Sequence, residues 1–116
     1  MEIILIKEAI NISRLIELAN SGLGDFVKAV VDLDQKIMAI NADMHVDEEQ
    51  YLLEECESKQ ENLWGINIYP SLEGDDRIEF DSMINLRPSQ NNRSREVEDP
   101  KVQAEILELV KGLING

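Results

Sequence analysis

FVKAVVDLD (residues 26–34), followed at once by KIMAIN (residues 36–41), decides the architecture. Both strings are rich in β-branched residues with partial alternation, and a turn at Asp34 and Gln35 separates them, so together they predict a β-hairpin. Upstream, the apolar run at residues 2–6 predicts a short buried strand. Asn11 then stands as N-cap before Ile12, Leu15, Ile16 and Ala19, whose spacing marks one face of a helix ended by Gly22 and Gly24.

Downstream, Asp47 followed by Gln50 resembles a capping box, and Tyr51, Leu52 and Cys56 with acids between them predict a second, short amphipathic helix. Residues 63–69 and 77–86 predict a second hairpin, joined by a turn over residues 70–76 that contains Gly74. The later strand shows the plainest alternation in the chain, with Ile78, Phe80, Ile84 and Leu86 on one face. Pairing Tyr69 near Arg77 sets Ile68 opposite Ile78 and Ile66 opposite Phe80, and leaves Asn67, Glu79, Asp81 and Asn85 on the other face. A polar stretch over residues 87–99 leads to Asp99 as N-cap and Pro100 at the first helical position. Val102, Ile106, Leu109, Val110 and Leu113 then form the stripe of a third helix.

The order β-α-β-β-α-β-β-α predicts an α+β fold, an antiparallel or mixed sheet of about five strands with three helices packed on one face. The 116 residues suit a single domain, residues 1–116. Twenty-four acidic residues against eleven Lys and Arg give a net charge of −13, which argues against nucleic acid and anionic membranes as partners. Cys56 is the only cysteine, so no intramolecular disulfide can form, as is usual in a reducing compartment. No apolar run approaches the ~20 residues of a membrane span or suits a signal peptide. A cytoplasmic address is the expectation.

Three longer strings, HVDEEQYLL (residues 45–53), SKQENLWGINIYP (residues 58–70) and INLRPSQNNRSREVEDP (residues 84–100), resemble a small prokaryotic family defined only as a domain of unknown function. The likeness covers nearly the whole chain and implies no activity. The family pattern carries a glycine pair and a glutamate ahead of the histidine, where this chain has Asn41, Ala42, Asp43 and Met44.

Three groups of residues carry candidate chemistry. Arg87, Ser89, Gln90, Asn91, Asn92, Arg93, Ser94 and Arg95 place three of the five arginines within nine residues. Guanidinium forks with Asn and Ser donors suit a carboxylate or phosphate, although the same arginines can tie the loop to neighbouring acids. His45 with Asp47, Glu48 and Glu49 is the second group, with the chemistry of a general base or metal ligand, against a plain role at a helix entrance. A single histidine is too few for the usual zinc patterns, and no metal is expected. The third group is the polar strand face of Asn67, Glu79, Asp81 and Asn85, where paired carboxylates can share acid and base roles, although an ordinary solvated strand face is the commoner use of such residues. No phosphate cradle, GxSxG, CxxC or HExxH string occurs, and no cofactor is expected.

The leading expectation is therefore a binding or interaction module. Asn67, Asn85, Arg87, Asn92, Arg93, Ser94 and Arg95 would hold an anionic small molecule or an acidic protein segment. Two alternatives stay open: a small hydrolase with His45 as base or metal ligand beside Asp47 or Glu49, and a homodimeric interaction protein.

Overall fold

The computed structural model describes residues 2–116. Two short strands, β1 (Ile4–Ile6) and β2 (Ile10–Asn11), precede α1 (Ile12–Ser21). The expected hairpin follows as β3 (Val27–Asp32) and β4 (Ile37–Ile40), and then α2 (His45–Glu55). β5 (Leu63–Ile68), β6 (Ile78–Glu79), α3 (Pro100–Leu113) and β7 (Ile114–Asn115) complete the chain. The main sheet runs β1-β4-β3-β5-β6 and is antiparallel throughout. β2 and β7 make a separate parallel pair that joins the entry of α1 to the exit of α3.

The hairpin turn is held by one buried carboxylate. Asp32 Oδ1 accepts the N–H groups of Asp34 and Gln35 at 2.9 and 3.1 Å, and Oδ2 accepts the Ser58 hydroxyl at 2.6 Å. Lys36 completes the turn with φ +59°, in the left-handed region. The N-caps expected at Asn11 and Asp99 both form, accepting from Ser13 N–H and Lys101 N–H.

Helices cover both faces of the sheet, not one. Ala29, Val31, Met38, Ile40, Ile66 and Ile68 pack against α1 and α3 in the larger core. Val30, Ile37, Ala39 and Leu63 pack against Leu52 of α2 on the opposite face. The cause lies in β3, β4 and β5, whose apolar residues occupy both parities. A strand buried on both sides needs a cover on each.

Two further expectations are corrected. α2 begins at His45, before Asp47, and Met44 at its N-cap supplies no side-chain acceptor. Gln50, expected in a capping box, instead donates to Glu54 Oε1 one turn on, at 2.8 Å. The strand expected over residues 77–86 is cut to Ile78–Glu79. Its register is as expected, with Ile68 opposite Ile78 and Asn67 opposite Glu79, but the chain then leaves the sheet. Ser82 Oγ accepts the Ile84 N–H at 3.3 Å and starts a 3-10 turn over Met83–Asn85. Leu86, expected on the core face, is exposed. No helix among the described residues is long and apolar enough to cross a membrane.

Candidate ligand-binding site

Beyond β6, the free edge of β5 is closed by side chains. At Gly65 the Asn85 amide takes the place of a strand, accepting the Gly65 N–H at 2.8 Å and donating to its carbonyl at 2.9 Å. At Leu63 the Arg87 guanidinium donates to the carbonyl at 2.7 Å and also reaches Gln60 O. Its carbon sits 4.3 Å from the Trp64 ring centroid, a cation–π distance.

The polar loop is thus largely turned inward. Asn92 is buried and donates to the carbonyls of Asn85, Ser94 and Glu96, while its Oδ1 accepts the Glu98 N–H at 2.9 Å. Ser94 Oγ accepts the Glu96 N–H. Arg87, Asn92 and Asn85 therefore tie the chain to itself. Arg93 is exposed, and among the described residues only its backbone N–H is bonded, to Glu98 Oε1 at 3.2 Å. Arg95 alone among the loop arginines lines a cavity with other candidate residues. Its Nε donates to Asp81 Oδ1 at 2.7 Å, an exposed pair worth ~0–1 kcal/mol.

That cavity, about 330 Å³, lies on the α2 side of the sheet, between the start of α2, the ends of β5 and β6, and residues 82–84. Its polar lining is Lys28, His45, Asn67, Glu79, Asp81, Ser82 and Arg95. Sheet register makes the floor, since Lys28 stands opposite Asn67 and Asn67 opposite Glu79 across three strands. Asn67 Nδ2 donates to Glu79 Oε1 at 2.8 Å and to Asp81 O at 3.4 Å. Both partners are acceptors, so the amide orientation is set. Its Oδ1 is buried without a hydrogen-bond partner among the described residues, in a residue only 7% exposed. Such an atom costs about 1–3 kcal/mol unless something donates to it. Larger clefts of about 500, 550 and 600 Å³ run beside α3, but none is lined by a buried polar atom lacking a partner.

His45 is also 7% exposed and belongs to the same cavity. Its Nε2 lies 2.7 Å from Ile66 O, and because a carbonyl only accepts, Nε2 carries the proton. Burial holds its pKa below the ordinary 6.5, against the opposing pull of the Ile66 carbonyl. The ring is therefore neutral at neutral pH, leaving Nδ1 as an acceptor.

The structure brings together members of all three candidate groups: His45 from the second, Asn67, Glu79 and Asp81 from the third, and Arg95 from the first. It separates His45 from its expected partners. Asp47 is exposed, and Glu49 accepts from Gln60 Nε2 at 3.4 Å, away from the cavity. No cluster of three or more His, Cys, Asp or Glu suited to a metal occurs among the described residues. Lys28 was missed, although a lone cation inside the apolar run FVKAVV is a visible signal. Glu48 is fully buried; its Oε2 accepts the Ala42 N–H at 3.0 Å, and burial pushes its pKa up to about 9.

Among protein families, residues 4–113 match a model described only as a protein of unknown function. Comparisons with curated proteins and with solved structures gave no match.

Proposed function

The chain belongs to the DUF5674 family, whose description assigns no chemistry, and we propose that it is a binding module for a small polar molecule bearing an acidic group. The ligand occupies the cavity of Lys28, His45, Asn67 and Arg95. One observation carries this reading: two cationic side chains share a cavity with Asn67, whose buried Oδ1 has no partner among the described residues. The start of α2 adds to it. Met44, His45 and Val46 line the same space, and a helix N-terminus without a side-chain cap keeps N–H groups available for an anion. Arg95 is the part of the expected arginine site that remains.

The experiment is an NMR titration of ¹⁵N-labelled protein with acetate and, separately, with inorganic phosphate. The expected result is saturable shifts in the amides of His45, Val46, Asn67 and Arg95, lost in the Lys28→Met, Arg95→Ala double variant at an unchanged melting temperature. Shifts scattered over the surface, or none near the cavity, overturn the reading.

One observation also favours a hydrolytic variant of it: a neutral imidazole of fixed tautomer shares the cavity with Arg95. Release of nitrophenol from nitrophenyl esters, abolished by His45→Gln in a protein that still folds, is its test.

A further inference from the structure

We propose that the ligand is a zwitterion, specifically an apolar α-amino acid, with its ammonium group against Asn67, His45 and Glu79 and its carboxylate against Lys28 and Arg95. The inference rests on the binding reading above and narrows it to one chemical class.

The acceptors of the cavity lead to it. Asn67 has spent its amide hydrogens on Glu79 and Asp81, so its Oδ1 can only accept. His45 has spent its one N–H on Ile66 O, so its Nδ1 can only accept. Glu79 and Asp81 add carboxylate oxygens beside them. An ionised carboxylate offers no hydrogen to any of these atoms, and a bare anion would leave Asn67 Oδ1 as unsatisfied as it is in the free protein. A primary ammonium has three N–H donors, which matches Asn67 Oδ1, His45 Nδ1 and a Glu79 oxygen.

Charge leads the same way. Lys28 and Arg95 balance Glu79 and Asp81, so the lining suits a ligand with one group of each sign and no net charge. The chain's net charge of −13 repels a net anion during approach and leaves a zwitterion unaffected.

The other wall of the cavity supplies the side-chain class. Phe26, Met44, Val46, Met83 and Ile84 are apolar, and Met44, Val46 and Met83 are exposed at its rim. Unbranched thioethers adapt to varied apolar shapes. A volume of about 330 Å³ falls at the low end of ligand pockets, which suits a single amino acid.

The experiment titrates the full chain with L-leucine, with isocaproate, which lacks the amine, and with isoamylamine, which lacks the carboxylate, and repeats the first with the other common apolar L-amino acids. NMR follows the Asn67 side-chain amide and the His45 ring, and calorimetry gives Kd. The expected result is that an apolar amino acid binds at least about tenfold more tightly than either truncated analogue, the scale of one charge-assisted hydrogen bond. Asn67→Leu should remove that margin. If Asn67→Leu does not fold, Glu79→Gln at an exposed strand position makes the same comparison. Isocaproate binding as tightly as the amino acid overturns the zwitterion and leaves the acid-binding cavity standing. So does acetate binding at the cavity when no amino acid does. Silence from every probe overturns both.

Discussion

The side chain of Asn85 is hydrogen-bonded at both ends to the backbone of Gly65, standing in for the strand that β6 does not extend to supply. The same Nδ2 also donates to Arg95 O at 3.0 Å, which ties the loop carrying Arg95 to the sheet. One fully buried amide therefore closes a strand edge and anchors an arm of the candidate site. An open backbone edge inside a protein would leave polar groups unpaired.

Asn85→Ala should consequently be among the most damaging substitutions in the chain. It strips partners from the Gly65 N–H and the Gly65 carbonyl, at about 1–3 kcal/mol for each buried group left unsatisfied, while the Arg95 carbonyl keeps the Ser82 N–H at 3.0 Å. We expect a total loss of roughly 3 kcal/mol or more in urea unfolding, with the amide of Gly65 losing hydrogen-exchange protection first. An Asn85→Ala protein as stable as the parent would refute the substitute-strand role.

Gly65 is required by the close approach of residue 82. A Cβ placed on Gly65 would lie 2.5 Å from both Cβ and Oγ of Ser82, a distance no packed side chain tolerates. Gly65→Ala should cost several kcal/mol on the scale of other overpacked sites, and Ser82→Gly should recover part of that cost. The double-mutant cycle reads the coupling directly, and an additive result would mean that the clash lies elsewhere.

Arg87 and Arg93 separate the structural arginines from the free ones. Arg87→Ala removes the side-chain donor of Leu63 O and one of the two donors to Gln60 O, and uncovers the Trp64 ring, so a loss of about 2–4 kcal/mol is expected. Arg93→Ala should stay within about 0.5 kcal/mol of the parent, as exposed positions do. Melting temperatures of the two variants measured side by side decide the matter. Equal effects would put the loop's inward orientation in doubt.

How much of this was legible beforehand follows the range of each interaction. The caps at Asn11 and Asp99 and the turn after Asp32 are contacts within a few residues, and local pattern reads them. The pairing of Ile68 with Ile78 follows from a hairpin and needs only one turn. The alternation of Ile78, Phe80, Ile84 and Leu86 misleads because a strand is made by its partner. Here the partner edge at Gly65 is occupied by an amide whose role depends on the path of the loop. The arginine loop misleads for a similar reason, since composition cannot say whether a guanidinium points inward to Leu63 O or outward to solvent. The meeting of Lys28 with His45 requires both the three-strand register and α2 on the second face, and neither is encoded within either segment.

Glu48 gives the pH dependence of stability its sharpest test. Its carboxyl is fully buried with one oxygen unpartnered, and burial raises its pKa from 4.5 to about 9, with the Ala42 N–H opposing the shift. Because the folded pKa lies above the unfolded one, folding takes up a proton throughout the interval between them. The stability this group contributes is complete below pH 4.5 and is lost as pH rises toward 9. The loss approaches about 1.4 kcal/mol per pH unit inside that window. Glu48→Gln stays neutral in both states and removes that slope, while its amide oxygen can still accept from Ala42. It also places an NH2 group where Oε1 has no partner, so near pH 4 the variant should be no more stable than the parent. Towards pH 8 it should become the more stable by roughly 2 kcal/mol or more. Urea unfolding of both proteins across that range isolates Glu48, since every other titrating group is common to the two. Stability curves that run parallel from acid to alkaline pH would show that Glu48 is ionised in the folded protein and that its burial is relieved by water.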